Sequence, residues 1–183
     1  MNIRKSTAPR RTLGQLADAL RVSRETLLTW ERRGYFELID THARGEARAF
    51  DRLDVAYVAV FAALAAHEGA RDAAEIMRQV MSQGAYWSKQ VHDAISGVEV
   101  YVFVKRYGYK GVEHLEARLY VGPHLEKERR DYEKDIVRAG RQHGEEVGDA
   151  HDDAHDDDDE RDVVADYQVG SAIRQAVRRL NLS

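Results

Sequence analysis

At 183 residues the chain suits one compact domain or two small ones, and its 43% hydrophobic and 33% charged residues supply a core beneath an extensive solvated surface. The absence of cysteine excludes disulfides, thiolate metal sites and cysteine nucleophiles. The formal net charge of −4 conceals a polarity, because residues 1–33 hold eight basic and three acidic residues whereas residues 143–162 hold eleven acidic and one basic. Such asymmetry points to a polyanionic partner for the basic end, although charge alone leaves both ends readable as plain solvated surface. No run approaches the roughly 18 apolar residues of a membrane span, and "MNIRKSTAPRR" lacks the apolar stretch of a secretory signal. A cytoplasmic protein is expected.

Residues 1–11 read as a flexible basic arm. Thr12 can cap "LGQLADAL", where Leu13, Leu16, Ala17 and Leu20 recur at helical spacing. Ser23 can cap a second helix after a short turn. Its partner three residues on is Thr26, so the reciprocal half of a capping box is missing. Leu27, Trp30 and Leu28 form the apolar side of that helix, and Gly34 sits where it should stop. "YFELIDTHARGEARAF" suggests two short strands around a turn at Gly45. Asp51 can cap the apolar helix "RLDVAYVAVFAALAAH", which Glu68-Gly69 breaks. "ARDAAEIMRQVMSQG" follows as an amphipathic helix with Ala73, Ile76, Met77 and Val80 inward. It either runs on through "AYWSKQVHDAI" or breaks at Gly84.

The next segment alternates. Val98, Val100, Val102 and Val104 fall on one face, and Glu99, Tyr101, Phe103 and Lys105 on the other. With "YGYKG" as the turn and a return strand at 112–121, a long β-hairpin is expected. It needs helices or a second subunit against one face. Pro123 opens a highly charged helix, "HLEKERRDYEKDIVRAG", with a thin apolar stripe. "HGEEVGDAHDDAHDDDDERD" has almost no apolar content and reads as a disordered acidic linker. The chain closes on "YQVGSAIRQAVRRLNL", with Ile173, Val177 and Leu180 at helical spacing beside Arg174, Arg178 and Arg179. The expected division is an arm at 1–11, a first domain at 12–82, a hairpin-and-helix domain at 83–142, a linker at 143–163 and a C-terminal helix at 164–183. The expected fold class is α+β, mainly α.

Helix, short turn, helix is a DNA-binding geometry whose second helix enters the major groove by its N-terminal residues. Here that end offers Ser23, Arg24, Glu25 and Thr26. Arginine can bond guanine bidentately, and serine or threonine can reach bases or phosphate. Arg32 and Arg33, at the other end, suit backbone phosphates. Leu27, Trp30 and Phe50 are expected in the core.

Residues 12–80 resemble the winged helix-turn-helix domain of the MerR family of transcriptional regulators. The match runs through Leu13–Ala17, Val22–Ser23, Thr26–Leu27, Trp30–Glu31, Gly34, Arg48, Phe50–Asp51, Gly69 and Glu75–Ile76. The resemblance implies a wing whose Arg44 and Arg48 approach phosphate or the minor groove. It also implies a homodimer on a palindromic site, in a bacterial or phage protein. The arm, with Arg10 and Arg11, would add minor-groove or backbone contacts. Three positions depart from the family: Arg21 where many members carry glycine, Leu28 where arginine is common, and Thr29 where an aromatic is common. Thr29 stays in the DNA-facing set.

Other constellations are weaker. His151 and His155 stand amid aspartates, but their segment has little with which to build rigid surroundings for a metal. Ser88 and His92 lack a third triad member. Tyr86, Trp87, Tyr101, Phe103, Tyr107, Tyr109 and Tyr120 suit hairpin core or a dimer interface better than an aromatic ligand pocket. No cofactor, metal or catalytic residue is expected, and no effector is implied by these residues. The expected function is a non-enzymatic, sequence-specific transcriptional regulator binding double-stranded DNA. The alternatives are an excisionase-like or phage-associated architectural protein, and a protein-interaction module with a degenerate helix-turn-helix.

Overall fold

The computed structural model describes residues 12–36, 50–82, 87–109, 112–122, 126, 127, 130, 131 and 163–182. Within them the chain is α+β and mainly helical. Five helices come first: α1 (Leu13–Leu20), α2 (Arg24–Arg32), α3 (Arg52–Glu68), α4 (Ala70–Ser82) and α5 (Trp87–Ile95). Strands β1 (Val100–Tyr109), β2 (Val112–Val121) and β3 (Val163–Gln168) follow, and helix α6 (Gly170–Arg179) closes the chain.

Local sequence explains the helix ends. The Gln15 amide donates to Thr12 Oγ1 at 3.2 Å, and Gln15 Oε1 accepts from the Thr12 amide at 2.9 Å. Asp51 and Asp54 build the same reciprocal box on α3. Four helices end alike, each with one left-handed residue: Arg21 after α1, Gly34 after α2, Gly97 after α5 and Asn181 after α6. In each, the following amide reaches back five residues, as Val22 does to the Ala17 carbonyl at 3.1 Å and Tyr35 to that of Trp30 at 3.0 Å. Inside it the left-handed residue's own amide reaches back three, as Arg21 does to the Asp18 carbonyl at 3.2 Å, and the two hydrogen bonds satisfy carbonyls that a helix end otherwise leaves bare.

Packing follows from α3. It is apolar nearly all round, and Val55, Ala56, Val58, Ala59, Val60, Phe61 and Leu64 are buried. A helix of that kind belongs in the interior, and it touches α4, α6, α1 and α5. Helices α4, α5 and α6 in turn contact the antiparallel sheet, whose strand order is β2-β1-β3. Val100, Val102 and Val104 are almost fully buried. One buried cluster therefore runs from Leu16 in α1 to Leu180 beyond α6. The hairpin and the last helix share a core with the first four helices. Gly170 belongs to that junction: a Cβ there would stand 2.9 Å from the Val100 amide nitrogen.

Several expectations change. The return strand pairs as far as Tyr109↔Val112, so pairing runs deeper into "YGYKG" than expected. Val98 is not a strand residue. Its amide closes the end of α5 on the Asp93 carbonyl at 2.9 Å, and its side chain is exposed. Residues 164–168, expected to begin the C-terminal helix, belong to β3. Ala165 lies opposite Val104 and Tyr167 opposite Val102, an alternation matched to the apolar face of β1. Of the two strands expected within 35–50, the described residues Tyr35, Phe36 and Phe50 lie in no strand, and residues 37–49, the helix residues 132–140 and the acidic segment 143–162 lie outside the described residues.

Candidate nucleic-acid interface

Helix α2 reaches the surface through the turn Arg21–Ser23. Arg21 takes φ 58°, a left-handed value that glycine adopts without steric cost. Ser23 is the cap of α2: its Oγ accepts from the Thr26 amide at 2.9 Å. As the sequence requires, no reciprocal bond returns from Thr26. Instead the two hydroxyls bond each other at 2.8 Å. One hydroxyl hydrogen of the pair is thus spent internally and the other is available to a partner.

The inner side of α2 is anchored. Leu27 is buried, and Trp30 meets Phe61 of α3 edge-on with ring centroids 4.9 Å apart. Phe36, just past α2, meets the same Phe61 ring at 5.4 Å. Phe50 is buried as well. Leu27 and Phe50 occupy the core, and Trp30 lies half-buried against it. Three aromatic rings thereby set how far α2 stands from α3.

The outer side is polar. Ser23, Arg24, Glu25, Thr29, Arg32 and Arg33 are exposed, and Thr26 is half-buried. The structure brings these seven residues onto one short helix and its two ends. Glu25 lies in the first turn, where the helix dipole favours an acid, and Arg32 lies in the last turn, where it favours a base. Leu28 is half-buried. Arg10, Arg11, Arg44 and Arg48 lie outside the described residues. Arg24, Arg32 and Arg33 form no ion pair with another described residue. Guanidinium groups that form no ion pair among the described residues, beside hydroxyl and carboxylate groups, can bind phosphate and read base edges.

Elsewhere, cationic side chains serve the fold. Arg106 pairs with Glu68 at 2.5 Å and with Asp72 at 3.3 Å, and Tyr167 donates to the same Glu68 carboxylate. Arg174 donates to the Ala94 and Val98 carbonyls at 3.2 Å and to Glu99 at 2.9 Å. Among the described residues no group of three or more metal-ligating side chains converges. No helix among them is long and apolar enough to cross a membrane.

Compared with protein-family models and with curated proteins, the chain matches none. One basic residue had no signal in the local sequence: Arg179, which the fold brings to the Ala19 carbonyl of α1 across 160 positions.

Proposed function

We propose that this chain is a sequence-specific DNA-binding transcriptional regulator of MerR-like type, acting as a homodimer with α2 in the major groove. The observation that carries the reading is α2 itself. A three-residue turn presents its capped N-terminus, its apolar side is fixed on Phe61, and its outer side is polar and cationic. In this reading Arg24, Glu25 and Thr29 reach base edges, with the Ser23–Thr26 hydroxyl pair beside them. Arg32 and Arg33 hold phosphates. The resemblance adds Arg44 and Arg48 of a wing, and Arg10 and Arg11 of the arm, on the backbone or minor groove.

The test is a gel shift of the full chain against genomic fragments over a salt series. Discrete bands that survive moderate salt support a regulator. Arg24→Ala should then lose about 1–3 kcal/mol of discrimination at one base position. Sequence-blind binding with marked bending supports an architectural protein instead. No binding at low salt supports an interaction module. The acidic segment adds a further expectation: competing for the basic surface, it weakens nonspecific binding. Deleting residues 145–162 should raise nonspecific affinity at low salt, and an unchanged affinity removes that role.

A further inference from the structure

The last turn of α6 meets the last turn of α1, which leads into α2. Arg179 Nη1 donates to the Ala19 carbonyl at 2.7 Å, joining positions 160 residues apart. Arg179 and Arg21 share the rim of one groove of about 310 Å³, floored by alanines of α3. Arg178, the preceding residue in the last turn of α6, is exposed. Neither Arg21 nor Arg178 forms an ion pair with another described residue. Asp18, an exposed acid, lines a second hollow together with Arg179.

The four residue steps from Ala19 to Ser23 span at most about 14 Å. Duplex DNA carries one charge per roughly 1.7 Å of axis, so a duplex lying on α2 brings several phosphates within that reach. We propose that Arg21, Arg178 and Arg179 form an accessory phosphate clamp, by which the C-terminal helix extends the contact of α2 along the DNA backbone. The clamp rests on the DNA-binding reading above. It adds affinity and salt dependence without sequence preference, because its guanidinium groups lie beyond the helix that faces the bases.

The experiment measures affinity of the full-length protein for mixed-sequence duplex DNA across a salt series. The variants are Arg21→Gly, Arg178→Ala, the two together, and Arg32→Ala for comparison. Glycine keeps the left-handed backbone at position 21, Arg178 is exposed, and thermal unfolding reports that each variant is folded. The slope of log K against log salt should become shallower by about 0.9 for each arginine removed from the clamp. The preference for specific over mixed-sequence fragments should stay unchanged. Asp18→Asn, of opposite sign, should tighten binding. An unchanged slope in the paired variant overturns the clamp, and if Arg32→Ala still lowers the slope, the reading of α2 stands. Absence of DNA binding by the wild-type chain overturns both.

Discussion

A left-handed backbone costs a residue with a side chain about 1–2 kcal/mol relative to glycine, and Arg21 adopts it at φ 58°. Glycine would relieve that cost while adding about 0.4–1 kcal/mol of unfolded-chain entropy. Arg21→Gly should therefore stabilise the protein by up to about 1 kcal/mol. The urea midpoint should rise with an unchanged slope, and Arg21→Ala, which keeps the strain, should not reproduce the gain. Retaining arginine here makes sense if its charge is used, and the clamp would use it. Leu27 shows the opposite balance. It is 1% exposed and carries no polar duty. Leu27→Ala should cost about 2–5 kcal/mol in chemical denaturation. If the cost falls below 1 kcal/mol, α2 is not anchored as described. Arg32→Ala and Arg33→Ala should leave stability within about 0.5 kcal/mol, since both are exposed.

Elements differ in how much of them a linear sequence discloses. Helices α1, α2 and α3 begin beside capping residues that are visible as letters: Thr12, Ser23 and Asp51. The hairpin is visible as alternation at Val100, Val102 and Val104. Strand β3 was hidden because six residues between an acidic run and a helix carry little periodicity. Its identity depends on pairing with β1, some sixty positions earlier. Gln79 was hidden for a related reason. On α4 it resembles any polar surface residue. In the fold its amide bridges the outer edge of β2, donating to the Leu115 carbonyl at 2.6 Å and accepting from the Ala117 amide at 2.8 Å. Gln90 donates to the Leu119 carbonyl along the same edge at 2.8 Å. Two side chains from α4 and α5 thus occupy an edge that would otherwise invite pairing with another chain. Gln79→Ala should cost about 1–3 kcal/mol and speed hydrogen exchange at the Ala117 amide. Exchange as slow as in the wild type would show that another group holds that edge. The outer face of α2 was the most legible part of the candidate site, because caps and helical spacing are local. Arg179 was not, because only tertiary packing brings it to Ala19.

At the scale of the whole molecule, the question is whether the first helices form a unit of their own. The resemblance to winged helix-turn-helix domains suggests a cut near residue 82. The packing argues for a larger unit. Helix α6 lies against α3, α5 and α1, and Ile173, Ala176, Val177 and Leu180 enter the same buried cluster as Leu16, Phe61 and Leu64. Val91 and Ala94 of α5 are buried in it too. Removing everything after Ser82 would strip the covering from α3, whose apolar surface continues around its axis. Apolar area costs about 25 cal/mol per Å² when returned to water, and a small domain has only about 5–15 kcal/mol of net stability to lose. A fragment of residues 1–82 should therefore lack cooperative thermal unfolding and self-associate through the bare side of α3. The full chain should unfold in one transition, with coincident circular dichroism and tryptophan fluorescence curves, the latter from Trp30 and Trp87 together. In the proposed reading, α6 would then matter to DNA binding through stability as well as charge. A fragment that unfolds cooperatively and binds DNA with the affinity of the full chain would contradict both the single core and the clamp. A fragment that folds but shows a shallower salt slope would separate them, leaving α6 as a contributor to phosphate contact rather than to the fold.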